Sequence, residues 1–341
     1  MYNKELKDRF VKAYDVTTMK TYLSDLKRIS ETEEYFKKDL FNFTYEQIDE
    51  SLKGIQFKKQ SSVERAVSTY RRYASWANQN GFVPSKTNLW ELYTSDKLSD
   101  YVWQEALQNS FITREQLFDI IKQVSNPVDY MPILLTFEGI YGKTMSEMIN
   151  LKYSDINFET GIVKLVNNDG EYRSILIEDK RTLDLIKDAD KELYYLKDNG
   201  MAEGILSEAS VIHTPYVIRK VTSKNPKTNT QDGIFYGNEK IGIMTIEARF
   251  SRIFRGLRNP KPEKCKAPYV TGLSFLNATN VFKSGYFDYC LKLEQRKEEE
   301  LNTEDYEKAC VKFGIRPVLA TIYKKQYLGW KSRLNNVDRG E

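Results

Sequence analysis

The stretch "GIYGKTMSEMINLKYSDINFETG", Gly139 to Gly161, reads as a helix, then a turn, then the approach to a strand. Its downstream neighbour fixes that reading. In "GIVKLVNNDGEYRSILIED", Gly161 to Asp179, two β-rich runs flank Asn167, Asn168, Asp169 and Gly170. That is the strongest turn cluster of the chain, and it predicts a β-hairpin. A short helix feeding a hairpin marks this region as mixed α and β.

Upstream the chain reads as helices. "TTMKTYLSDLKRISE" places Met19, Tyr22, Leu23 and Leu26 on one face, with Thr17 or Thr18 as the expected N-cap. "TYEQIDESLKGI" opens with Thr44 and Gln47 at capping-box spacing and stops near Gly54. "SSVERAVSTYRRYASWANQNG" is the clearest helix. Ser61 and Glu64 suggest a second capping box, Val63, Val67, Tyr70, Ala74 and Ala77 share a face, and Gly81 ends it. A further helix is expected through "LWELYTSDKLSDYVWQEALQ", in one or two pieces. "FITREQLFDIIKQV" restarts the pattern with Thr113 as N-cap, so the domain boundary falls near Ser110. The expected domains are 1–109 and 110–341.

Downstream of the hairpin, "RTLDLIKDADKELYYLKDNG" returns to helix. "SKNPKTNTQDGIFYGNEKIG", Ser223 to Gly242, reads as loop. "TIEARFSRIFRGLR" carries an apolar stripe of Phe250, Ile253, Phe254 and Leu257, with Arg249, Arg252 and Arg255 expected largely off it. Helices continue through "GLSFLNATNVFKSG" and "TEDYEKACVKFG", and the chain ends in "RPVLATIYKKQYLGWKSRL". The fold class is mainly α with a small β-sheet (α+β), in two domains.

With 341 residues the chain is long enough for two cores. No run of eighteen apolar residues exists, and "MYNKELKDRF" lacks the apolar centre of a secretory signal, so a cytoplasmic protein is expected. Cys265, Cys290 and Cys310 form no CxxC pair, which removes redox motifs and zinc ribbons. His213 is the only histidine, so a histidine metal site or a Ser-His-Asp triad finds no second member. Neither a cofactor nor a metal is expected. Net charge is only +4, but it is unevenly spread. Ala209–Lys283 holds thirteen Lys/Arg against four Asp/Glu, and Lys312–Arg333 holds six basic residues and no acid. Such blocks suit a polyanion.

The order of these elements resembles the tyrosine recombinases (phage integrases) over nearly the whole chain. The resemblance implies a two-domain clamp on duplex DNA. Its N-terminal part would be a helical, SAM-like core-binding domain, and the rest a mixed catalytic-like domain. The closest local match is the opening stretch, where that family reads roughly Gly-Leu-Arg-Ile-Ser-Glu with a leucine four residues on. Gly142, Lys143, Thr144, Met145, Ser146, Glu147 and Leu151 occupy those places, with Thr144 at the arginine. In the family, two arginines and a lysine stabilise a pentacoordinate phosphate, two histidines assist, and a tyrosine attacks. Here the hairpin lysine falls near Asn168. The His-x-x-Arg pair falls on Thr271 and Ser274, and the later Gly-His pair on Gly314 and Ile315. "ATIYKKQY" offers Tyr323 or Tyr327 as the attacking tyrosine.

Charged clamps are often the largest catalytic term, so a site without both arginines would lose several orders of magnitude in rate. The resemblance therefore implies a recombinase fold without strand transfer. It is similar in this to the recombinase-like repressors of lysogeny in SPβ-type Bacillus phages, which lack recombinase residues. The leading expectation is a sequence-specific DNA-binding repressor, associated with the nucleoid of a bacterial host. Its partners would be double-stranded operator DNA and a regulatory protein or peptide, with no membrane; a monomer or weak self-association is expected. The DNA-contact candidates are Ser61, Arg65, Arg71, Arg72, Lys143, Thr144, Arg173, Arg219, Lys220, Arg249, Arg252, Arg255, Lys324 and Lys325. Two alternatives stay open. One is a divergent recombinase using Tyr323 or Tyr327 with displaced Lys143, Arg173 or His213. The other is an interaction module whose basic blocks meet an acidic protein.

Overall fold

The computed structural model describes residues 1–83, 87–102, 110–204, 207–222, 234–257 and 265–338. The chain divides into two compact units, Met1–Gln108 and Asn109–Glu341. The class is α+β: mostly helices, with small sheets that, among the described residues, lie in the second unit.

The first unit contains α1 (Lys4–Val11), α2 (Val16–Arg28), α3 (Ser30–Phe36), α4 (Tyr45–Gly54) and α5 (Gln60–Gln79). Val63, Val67, Tyr70, Ala74 and Ala77 are all buried on α5, as their spacing predicts. The capping box of Thr44 and Gln47 forms, and Gly81 adopts the left-handed conformation after α5. Two expected caps do not form. Asp15 caps α2 by accepting from the Thr17 and Thr18 amides, so neither threonine is the N-cap. Helix α5 begins at Gln60, and Glu64 accepts from Gln60 and from Ser95 rather than closing on Ser61. The expected helix from Leu89 is broken into a 3-10 turn (Leu89–Leu92), α6 (Ser95–Leu98) and a second 3-10 turn (Ser99–Tyr101). Asn88 caps the first turn at the Trp90 amide, and the buried Trp90 indole donates to the Leu40 carbonyl at 3.0 Å. Residues 103–109 of that expected helix lie outside the described residues.

The second unit opens with α7 (Arg114–Lys122), capped by Thr113 and Gln116, and α8 (Pro127–Phe137). Residues Val128 to Phe137 of α8 are all buried, so this helix is the spine of the unit. A short α9 (Ser146–Asn150) leads to the antiparallel hairpin β1 (Ile162–Val166) and β2 (Tyr172–Leu176). The register pairs Val163 with Ile175 and Leu165 with Arg173. Helix α10 (Lys180–Ala189) comes next.

The helix expected to continue through "ELYYLKDNG" is instead β3 (Tyr194–Leu196), which pairs with β4 (Glu208–His213). Strand β5 (Val221–Thr222) runs antiparallel to β4, and β6 (Phe235–Tyr236) runs parallel to it. The expected loop Ser223–Gly242 therefore contains a strand, while its residues 223–233 lie outside the described residues. The unit closes with α11 (Ile243–Arg255), α12 (Ala278–Lys297), α13 (Thr303–Lys312) and α14 (Ala320–Asp338).

Helix α12 approaches α8 more closely than any side chain allows. A Cβ at Gly285 would lie 1.7 Å from the Phe137 carbonyl oxygen. Gly329 on α14 has nothing within 4 Å of the same added atom. Helical alanine is favoured over glycine by about 1 kcal/mol, whereas a backbone clash forces the helices apart at about 1–3 kcal/mol or more. Gly285→Ala is therefore expected to lower the urea midpoint of the full chain and Gly329→Ala to raise it. Equal shifts from the two would refute the close approach.

Candidate nucleic-acid interface

The loop before α9 has an unusual backbone. Gly142 has φ 70°, and Thr144 and Met145 come after it at φ 53° and 60°. Two consecutive non-glycine residues in the left-handed region cost about 1–2 kcal/mol each. Met145 is anchored by burial, and the Thr144 hydroxyl donates to the Lys143 carbonyl at 2.7 Å. Lys143 and Thr144 are both exposed. They stand on this strained turn and not on a regular helix, so the opening stretch carries its helix later, at Ser146–Asn150.

Beneath that turn lies Arg173. Its Nε donates to Glu147 Oε1 at 2.5 Å and its Nη2 to Glu147 Oε2 at 2.6 Å. The same guanidinium also donates to the Gly139 carbonyl at 2.7 Å and to the Lys312 carbonyl. Arg173 is thus an internal brace, which corrects its expected place among the DNA contacts.

Two more arginines turn inward. Arg219 is 1% exposed and donates to the Ala189 and Asp190 carbonyls at the end of α10. Arg249 is 5% exposed, donates to the Arg219 carbonyl at 2.7 Å, and faces Asp129 at 3.7 Å. Burial pulls its pKa down to about 10 against the pull of Asp129. In the first unit, Arg65 makes a two-pronged bond to Asp25, whose side chain is fully buried. Arg71 pairs with Glu91 and donates to the Tyr93 carbonyl. The half-buried Arg252 donates to the Tyr195 hydroxyl, Lys220 pairs with Glu239, and Lys324 lies over the Tyr306 ring. Ser61, Arg65, Arg72, Lys143, Thr144, Arg255 and Lys325 keep exposed side chains.

Two of the positions that the resemblance assigns to phosphate chemistry, Asn168 and Ser274, have cations nearby. Asn168 bonds Asn150 Nδ2 at 3.2 Å, and Asn150 Oδ1 accepts from Lys240 Nζ at 2.6 Å. Lys240 and Lys152 both lie 5.8 Å from the Tyr216 ring. Ser274 offers its carbonyl to Arg255 Nε at 3.3 Å, and Leu276 offers its own to Arg255 Nη2 at 3.1 Å. Sequence reading missed Lys152 and Lys240, because only the folded chain brings them to the hairpin. Arg255 also lines a cavity of about 270 Å³ with Tyr141, Met145, Glu247, Asn277 and Thr279. Burial, and then the Glu247 carboxylate, raise the pKa of Tyr141. A carboxylate in this wall opposes the binding of a phosphate within it.

Neither candidate nucleophile reaches that cavity. Tyr327 is fully buried and donates to Glu294 Oε2 at 2.8 Å, where Lys331 also bonds. Burial and this carboxylate push its pKa well above the ordinary phenol value, so the phenolate needed for attack is disfavoured. Tyr323 packs on Tyr286 at 4.9 Å, and the rings of Tyr286, Phe313 and Phe282 stand between it and Tyr141. Thr271 is exposed, and the half-buried Ile315 packs on the cluster around Phe313. Among the described residues no group of three or more His, Cys, Asp and Glu could hold a metal, and no helix is long and apolar enough to cross a membrane.

Two models of one family match most of the chain. Residues 1–79 match the family described as "MrpR, N-terminal core-binding domain", and residues 111–250 match "MrpR, C-terminal catalytic domain". The SPbeta prophage-derived uncharacterized protein YopR of Bacillus subtilis (strain 168) is 23% identical over 228 residues, covering 66% of this chain and 69% of that protein. A crystal structure of XerA recombinase aligns with 94% of this chain and 93% of its own, at 12% identity and a TM-score of 0.35.

The arginines of α5 separate two kinds of loss. Arg65→Ala leaves buried Asp25 without its cation and is expected to destabilise the chain by about 1–3 kcal/mol. Arg72→Ala removes only an exposed bond to Tyr22 and should stay within about 0.5 kcal/mol of the parent. Urea unfolding of both variants checks this; a larger loss at Arg72 than at Arg65 would contradict the burial of the Asp25 charge.

Proposed function

Because the chain belongs to the MrpR family, carrying its core-binding and catalytic domains in a tyrosine-recombinase-like fold, we propose that it is a sequence-specific repressor that grips double-stranded DNA without cutting it. One observation carries this reading. Cations stand beside the emptied positions, Lys240 near Asn168 and Arg255 at Ser274, while Tyr327 is locked in the core under Glu294. Phosphate contacts position a protein on DNA and need only charge and reach, whereas strand transfer also needs a free nucleophile and a charged clamp. The kinship with a prophage-derived protein supports a repressor of phage type.

In this reading, exposed Lys143, Lys152, Lys240 and Arg255 hold the backbone from the second unit, and Ser61 and Arg72 contact DNA from the first. Sequence is then read by side chains that reach base edges. The inward arginines Arg173, Arg219 and Arg249 keep these surfaces in place.

Affinity pulldown of fragmented host and prophage DNA, followed by sequencing, is expected to enrich a few discrete sites. Enrichment no better than random fragments would sink the repressor. On an enriched site, Lys240→Ala and Arg255→Ala should each lower the slope of log affinity against log salt by about 1. Thr144→Arg should yield no covalent complex on a nicked suicide duplex, since a single restored arginine supplies neither the other clamp groups nor the tyrosine. A trapped complex with that variant or the parent would establish an enzyme instead.

A further inference from the structure

The chain's only histidine takes no part in the proposed DNA contacts. His213 ends β4 beside Tyr236 of β6, the two rings edge to face at 5.6 Å. His213 and Tyr153 line a cavity of about 330 Å³ together with Asp190, Thr214, Pro215, Tyr236 and Gly237. Four separate stretches of sequence build it. The Tyr153 amide donates to the Pro215 carbonyl at 3.1 Å, and the Gly237 amide donates to the His213 carbonyl at 3.0 Å. Asp190 enters from the end of α10.

Among the described residues, two polar atoms in this wall are buried and have no partner: His213 Nδ1 and the Tyr153 hydroxyl. Such orphans are few in folded proteins, and each calls for a ligand, a water or a functional reason. Thr214 is already engaged with Tyr216. The Asp190 carboxylate, by contrast, makes no hydrogen bond or ion pair among the described residues, and it is the only charged side chain of the lining. Nearby Arg219 is buried against the Ala189 and Asp190 carbonyls, where its charge meets the negative end of α10. The wall therefore presents a carboxylate, a phenol oxygen and an imidazole nitrogen able to accept, with an aromatic side at Tyr236. An anionic ligand would be repelled by Asp190. A metal ion would find one carboxylate and one imidazole, too few for a site.

We propose that this cavity binds a small organic cation rich in N–H donors, of the amine or guanidinium class. Asp190 supplies the charge, Tyr153 and His213 accept hydrogen bonds, and Tyr236 packs on the ligand's flat or methylene part. The lining shares no residue with the DNA-contact set, and its test does not depend on repression. One chemistry has two sources here, a free amine or the arginine of a peptide.

A sole histidine gives a single imidazole signal, so full-length protein labelled at histidine reports directly by NMR. Titration with agmatine (a free guanidinium amine) or with N-acetylarginine amide (a stand-in for a peptide side chain) is expected to shift the His213 resonances saturably. Binding of agmatine points to the free source; binding of the acetylated amide alone points to the peptide. Choline, a cation without N–H donors, and inorganic phosphate should produce no saturable shift. Asp190→Asn should weaken binding at least tenfold and Tyr153→Phe several-fold, with both variants keeping the parent's melting temperature and ligand-free His213 spectrum. The proposal fails if neither guanidinium probe shifts His213. It also fails if choline or phosphate shifts it equally, or if a folded Asp190→Asn variant binds as the parent does.

Discussion

The bond between Arg173 and Glu147 governs how the middle of the second unit is arranged. One guanidinium joins the hairpin, the turn at Gly139, the start of α9 and the end of α13. Both partners are largely withdrawn from water, so each needs the other: breaking such a pair leaves an uncompensated charge at about 3–5 kcal/mol. Arg173 cannot swing out to a phosphate without that loss. The strained turn at Thr144 and Met145 sits directly above this brace, and the packing beneath it is what holds two left-handed residues in place.

That constraint also explains why arginine is a poor guide to surfaces in this chain. Its planar fork satisfies several carbonyls at once, which suits it to the interior. Helix α11 shows the consequence. Arg249, Arg252 and Arg255 share a spacing of three and read as one basic edge. At about 100° per residue, however, Arg249 lies only about 40° from Ile253 and falls inside the apolar stripe. It is buried, Arg252 is half-buried, and Arg255 alone is exposed. A local excess of charge told where cations occur along the chain, and nothing about which of them face water.

Legibility tracked the range of the interactions. The capping box at Thr44 and the N-cap at Thr113 need only neighbours within a turn, and both form. The spacing of Ser61 and Glu64 is the same, yet Ser95 takes Glu64 from 31 residues away. Tyr194–Leu196 has a helical approach and becomes a strand because Glu208–Ser210 pairs with it. That Thr144 stands where the resemblance expects an arginine was visible in the letters. The place of Lys240 was not, because it meets Asn150 across 90 residues.

The sequence by itself determined the helical periodicity, the hairpin around Asn167–Gly170 and the two-domain order. These are properties of residue type and short spacing, which act wherever the chain is placed. The tertiary structure decided which arginines brace the interior and which meet solvent, that Tyr327 lies under Glu294, and that His213, Tyr153 and Asp190 share one cavity. Those outcomes depend on which distant segments pack together, because burial and pairing set the energy of a charge or a hydroxyl and neither is written in the residue itself.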